Sequence, residues 1–265
     1  MTTSTETSAD RKVQLVRYET EIEVIAQGTG PAVVMLPSRG RDSYDFDTVA
    51  DGIVAAGFRV LRPQPRGIGS SKGRMRGITL HDLATDVAAT IEQQAEGPAI
   101  LIGHAFGGSV ARMTAVDHPR LVRGVVLAAA AAKGTSPSAL GQALRKSSDV
   151  RLPDAERLEA LRFAFFAPGH EASSWLGGWH ATAMDLQGAA LASTKQEDWW
   201  AAGTVRILDL QGGRDPWRPL ATGNDLKAEL GERVTIRTIF DASHALFPEQ
   251  PASVVWEIVA WMRSL

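Results

Sequence analysis

Ala99-Ile100-Leu101-Ile102-Gly103-His104-Ala105-Phe106-Gly107-Gly108 reads as a short apolar strand that runs into a glycine-flanked turn and then into a helix. This is the outline of a nucleophile elbow, G-x-S-x-G, with Ala105 where the serine would stand. A chain that reverses so sharply forces its central residue toward strained backbone angles. Its neighbours then have no room for side chains, which accounts for glycine at 103 and 107. The turn is kept and the hydroxyl is lost.

Outward from the elbow, the same strand-helix alternation recurs. Upstream, the continuous apolar run 32–36 (AVVML) reads as a strand buried on both faces. Residues 37–41 (PSRGR) break it, and helical spacing of Phe46, Val49, Ile53 and Val54 predicts a helix over 42–56. A strand follows at 58–61, then the long turn 63–71 (PQPRGIGSS), and a helix over 80–94 with Leu83, Val87 and Ile91 on one face. Near the start, rough alternation over 13–26 predicts a hairpin or two short strands, and the polar residues 1–11 read as disordered. Downstream of the elbow, the helix 106–117 leads to a strand at 122–127. Such alternation with short connections predicts an α/β fold, a mostly parallel, doubly wound sheet.

The regularity stops at 131 and resumes at the strand 205–210. Residues 131–203 carry helical stretches near 137–146 and 154–166 and the aromatics Phe163, Phe165, Phe166, Trp175, Trp179, Trp199 and Trp200. Taken singly, each aromatic reads as core of a helical subdomain. Together, after a sheet of this kind, they read as a lid whose inner face lines a pocket. The expected organisation is therefore a core of 1–130 and 204–265 with a helical cap at 131–203. A helix near 220–230, a strand at 234–240 and a last helix at 251–263 complete the pattern.

Ala105, Asp215 and His244 then fall at the carboxyl ends of three strands, where open parallel sheets bind ligands. With the segments LPSRG (36–40), PRGIGSS (65–71), GHAFGG (103–108), GGRDPW (212–217) and ASHALFPEQP (242–251) in this order, nearly the whole chain resembles the α/β-hydrolase fold superfamily. More narrowly, it is similar to a group of actinobacterial and proteobacterial members whose elbow is GHAFG or GHAYG. Ala105 is then natural; the other explanation is an engineered serine-to-alanine change.

The resemblance implies roles. Asp215 accepts from Nδ1–H of His244 and fixes its tautomer. The backbone N–H groups of Arg39 and Phe106 form the oxyanion hole. Ser38, Trp175, Trp179 and Trp217 are candidates for contact with substrate. The chain departs from the family in having Pro37-Ser38 where His-Gly is usual and Gln64 where an Asp is usual. Ser38 reads best as a turn residue, with a substrate hydrogen bond or a substitute nucleophile as the other possibilities. Ser109, within the helix, is expected to pack there, and Arg39, Arg66 and Arg214 to be solvated rather than to bind a carboxylate.

An alanine methyl cannot attack, so acyl-enzyme chemistry at 105 is impossible in this chain. Epoxide hydrolases and haloalkane dehalogenases need an Asp there, so Ala105 excludes that chemistry too. The expectation is a hydrolase of a small, largely apolar carbonyl compound (ester, lactone, thioester or amide). It would act through a His244–Asp215 general base, or by serine hydrolysis if the alanine is engineered. A silent ligand-binding relative, or a cofactor-independent lyase or oxygenase using His244 as base, remains beside it.

Composition narrows the field further. The formal charge of -2 gives no pull toward nucleic acid or an anionic membrane. The absence of cysteine removes disulfides and thiolate chemistry. The six histidines show no HExxH spacing, so neither a metal nor another cofactor is expected. The polar start lacks a signal peptide's apolar core, and no apolar run reaches the ~20 residues of a membrane helix. A cytoplasmic location is the resulting expectation, with a small molecule as the partner.

Overall fold

The computed structural model describes residues 11–134 and 137–265. The disorder expected for 1–11 therefore falls, except for Arg11, outside the described residues. Eight strands form one sheet: β1 (Lys12–Arg17), β2 (Glu21–Gln27), β3 (Ala32–Leu36), β4 (Arg59–Pro63), β5 (Ala99–His104), β6 (Val122–Ala128), β7 (Arg206–Gly212) and β8 (Val234–Ile239). Their order is β1-β2-β4-β3-β5-β6-β7-β8. β1 and β2 pair antiparallel with each other, and β2 antiparallel with β4; all later pairings are parallel.

β3 and β5 are buried along their whole length, as their unbroken apolar sequences require of strands covered on both faces. The helices that cover them are α1 (Asp47–Ala55), α2 (Leu80–Gln94) and α3 (Phe106–Asp117), joined later by α10 (Pro251–Met262). One apolar layer packs α2 and α3 on the sheet through Leu83, Val87, Val110 and Met113. The opposite layer packs α1 and α10 through Val49, Ile53, Val254 and Ile258. α2 starts on a capping box in which Thr79 and Asp82 bond each other's backbone N–H.

Between β6 and β7 lie α4 (Ser138–Ser148), α5 (Asp154–Ala164), α6 (Ala181–Ala192) and α7 (Gln196–Trp199). Residues of these helices and of the segment between α5 and α6 form a separate apolar cluster that includes Leu140, Leu161, Phe165, Phe166 and Trp175. α8 (Asp225–Leu230) and α9 (Leu246–Glu249) complete the helices before α10. Among the described residues, no helix is long and apolar enough to cross a membrane.

Three local expectations need correction, and one helix of the insertion went unpredicted. The helix predicted over 42–56 is a 3-10 turn at Ser43–Phe46 followed by α1, because Asp42 caps the tighter turn by accepting from Tyr44 N–H. The helix predicted over 220–230 is reduced to α8, preceded by a separate 3-10 turn at Leu220–Thr222. β8 ends at Ile239, leaving Phe240 76% exposed. α6 was not predicted at all. Its apolar and polar residues lack helical segregation, and packing rather than sequence period defines it.

Candidate active site

The elbow adopts the strained geometry its sequence implies. Ala105 has φ 48° and ψ -109°, one of three non-glycine residues at positive φ among those described. That conformation costs on the order of 1–3 kcal/mol and persists because its surroundings enforce it. Its N–H donates to the carbonyl of Ala128 (2.9 Å). A Cβ on Gly103 would lie 2.4 Å from the backbone of Gly107, and one on Gly107 only 2.1 Å from the carbonyl oxygen of Leu36. Both glycines are therefore demanded by contact between β3, β5 and the start of α3.

Asp215 lies just past β7 and His244 in the loop after β8, both almost wholly buried. His244 Nδ1 donates to Asp215 Oδ2 at 3.0 Å. The other carboxylate oxygen accepts from Trp217 N–H at 2.8 Å, so the carboxylate is held on two sides. His104 Nε2 donates to the carbonyl of His244 at 2.8 Å. A carbonyl can only accept, so His104 carries its proton on Nε2. Burial, and then the neighbouring His244, push the His104 pKa down to about 3, so this imidazole is neutral.

Glu249 fastens the His244 loop. Its two carboxylate oxygens accept from Ser243 N–H (2.6 Å) and Ala167 N–H (2.5 Å). The helical insertion thus bonds directly to the loop that carries the histidine. Ala245 N–H donates to Phe165 O (2.8 Å), and Trp217 Nε1 to Ala164 O (2.7 Å), reinforcing the same junction.

The loop after β3 is fastened from the same insertion. Gly40 N–H donates to Gln187 Oε1 (2.7 Å) and Arg39 Nε to Met184 O (3.0 Å). His180 N–H donates to Gly40 O (2.9 Å). The Ser38 carbonyl accepts from Arg41 N–H (3.1 Å), closing the turn through the main chain rather than through the Ser38 hydroxyl. The N–H groups of Arg39 and Phe106 donate to no described residue.

A cavity of about 680 Å³ brings these parts together. Ser38, Arg39, Ala105, Phe106, Trp217 and His244 all line it. Trp175 and Trp179, expected at the substrate, are not among its lining residues. They hold the Arg41 guanidinium between them at 4.7 Å from each ring centroid. Arg41 is buried and paired with Asp45 (2.5 and 2.7 Å), so these indoles serve a structural cation. Arg66 is likewise buried against Asp86 (2.7 and 2.9 Å) instead of solvated, whereas Arg214 is exposed. Arg39 is half-buried, and burial lowers its pKa.

Of the insertion aromatics expected together to line a pocket, Phe165, Trp199 and Trp200 do so; from α3, Ser109, expected to pack within the helix, and Arg112, which sequence reasoning missed, line it as well. Ser109 does not pack away inside the helix; it is half-buried on the cavity wall. A signal for the last two exists in the spacing. Positions 105, 109 and 112 are i, i+4 and i+7, one face of a helix that begins at the elbow. Among the described residues, no three His, Asp or Glu side chains cluster as metal ligands do.

Known proteins show the same frame. A 98-residue stretch, 37% of this chain and 34% of the relative, is 33% identical to a soluble epoxide hydrolase from Corynebacterium sp. strain C12. A 116-residue stretch, 44% of this chain and 41% of the relative, is 30% identical to the 2-(acetamidomethylene)succinate hydrolase of Mesorhizobium japonicum. The matched stretches thus span less than half the length of these relatives. An esterase from Exiguobacterium antarcticum superposes with a TM-score of 0.77 over 92% of this chain and 96% of its own, at 20% identity, a likeness of fold. The family model matches residues 33–258, a span that takes in the elbow, Asp215 and His244 alike, and by that match the chain belongs to the alpha/beta hydrolase family.

Proposed function

We propose that the chain hydrolyses a small carbonyl compound without a covalent intermediate, with His244 as general base. The observation that carries this reading is the His244 Nδ1–Asp215 Oδ2 bond of 3.0 Å, buried at the wall of the cavity that Ala105 also lines. With Nδ1 committed to Asp215, Nε2 is the nitrogen left to take a proton from water. The activated water attacks the carbonyl carbon. The C=O electron pair moves onto oxygen, and the N–H groups of Arg39 and Phe106 stabilise that charge. His244 then returns the proton to the leaving group as the tetrahedral intermediate collapses to acid and alcohol or amine.

The expected contributions are modest but sufficient. A positioned general base supplies roughly 10²–10⁴-fold. Each oxyanion-hole donor is worth about 3 kcal/mol in the transition state. The helices at 131–203 act in this scheme as a cap over a small substrate. Similarity to an epoxide hydrolase does not extend to its chemistry, since Ala105 has no carboxylate to attack an epoxide.

Ala105 itself favours a second reading, in which the pocket binds its ligand without turnover. Rates of p-nitrophenyl butyrate hydrolysis by the chain, by His244→Ala and by Ala105→Ser separate the two. Turnover by the chain that His244→Ala abolishes supports the general-base mechanism. Turnover by Ala105→Ser alone refutes it and identifies a serine-hydrolase frame silenced at one atom.

A further inference from the structure

Besides the His244 dyad, the cavity is lined by one buried cation, Arg112. Arg112 lies seven residues past Ala105 on the same face of α3 and is 2% exposed. Among the described residues its Nε and Nη2 are buried without a partner, and none of its three guanidinium nitrogens donates to another residue. Trp199 lines the same cavity, and its indole Nε1 is buried without an acceptor among the described residues. The guanidinium stands 4.2 Å from the Trp200 ring centroid and 5.7 Å from that of Trp199.

The surrounding charges do not neutralise it. Arg218 is spent on Asp209, with bonds of 2.6 and 3.2 Å, and Lys133 on Glu229, at 2.9 and 3.1 Å. Glu229 also accepts from Trp200 Nε1 at 2.9 Å. Among the described residues three cations here meet two carboxylates, and Arg112 is the one left over. Burial pushes its pKa down to about 9, still above neutrality, so the group stays charged at pH 7. A buried unpaired charge is costly, and stacking on indole offsets only part of that cost.

We infer that this wall receives a carboxylate carried by the substrate, and that Arg112 is the residue that selects it. The inference rests on the proposed use of the cavity for a carbonyl substrate. One uncompensated positive charge matches a monoanion better than a doubly charged phosphate group. A guanidinium and a carboxylate form a charge-assisted bond, and Nη1, the guanidinium nitrogen that is not sealed off, is the donor placed to make it. The reacting carbonyl sits at the elbow, beside the N–H groups of Arg39 and Phe106. Seven residues of helix raise Arg112 about 10 Å along the axis, and helical side chains lean back toward the N-terminus. The substrate is therefore an acid whose carbonyl and carboxylate are separated by a short carbon chain.

Isothermal titration of the protein with 6-oxoheptanoate, with its neutral isostere 6-oxoheptanamide and with 5-oxohexylphosphonate tests this. None of the three can be hydrolysed at the ketone. Binding of the oxo acid at least tenfold tighter than the amide is expected, weakening as salt is raised. Arg112→Met should make acid and amide bind alike, and Arg112→Lys should restore part of the preference. The comparison on the unaltered chain stands even if a variant fails to fold. Equal affinity for acid and amide, or a preference that survives in Arg112→Met, overturns the inference and leaves the hydrolytic reading intact. Tighter binding of the phosphonate overturns the choice of carboxylate. Failure of all three to bind overturns both readings.

Discussion

His104 should make the fold acid-sensitive, and the size of the effect can be worked from its surroundings. Its ring is sealed among Trp175, Phe247 and the His244 ring, at centroid distances of 5.9, 5.1 and 5.5 Å. Its ordinary pKa of 6.5 falls to about 3 in the fold. The unfolded chain thus accepts a proton near pH 6.5 that the folded chain refuses until about pH 3. The contribution is fully present above that upper value and is lost as the pH falls through the interval. The slope is at most about 1.4 kcal/mol per pH unit, so two units of acidification below pH 6.5 remove roughly 2.7 kcal/mol. That is a large share of the roughly 5–15 kcal/mol that holds a typical domain. Urea denaturation of the chain and of His104→Gln, from pH 7.5 to 4.5, isolates the term. Glutamine keeps a neutral donor for the His244 carbonyl and does not titrate. The difference in stability between the two should change by about one proton's slope below pH 6.5. Parallel curves would refute the assignment of a neutral, sealed imidazole.

Gly107→Ala should destabilise by about 3 kcal/mol or more, the upper end for overpacking, because its Cβ would meet the Leu36 carbonyl oxygen at 2.1 Å. Gly97→Ala, where a Cβ meets nothing within 4 Å, should be close to neutral in the same thermal melts. Arg41→Ala should cost about 3–5 kcal/mol, because Asp45 is left in a buried site without its partner; Arg11→Ala, which breaks a more exposed pair with Asp47, should cost under about 1 kcal/mol in chemical denaturation.

The strands and the helices packed on the sheet, the elbow and the chain order of Ala105, Asp215 and His244 were legible in the amino-acid sequence, because each is a local pattern; the insertion's α6 was not. An apolar run, a helical period or a glycine pair at a turn acts over a few residues, and parallel strands bring their carboxyl ends to one edge of the sheet. The spacing of 105, 109 and 112 was there to be read as well, since a helix face depends only on residue number. The identity of the cavity wall was not. Trp175 and Trp199 look alike in a sequence, yet one covers Arg41 and the other lines the cavity with Arg112. Which indole goes where depends on how the 131–203 segment docks on the sheet, through contacts between residues more than a hundred positions apart, such as Gln187 to Gly40. Charge pairing is decided in the same way. Several arginines find carboxylates across the fold, and only in three dimensions does Arg112 emerge, among the buried arginines described, as the one without a carboxylate of its own.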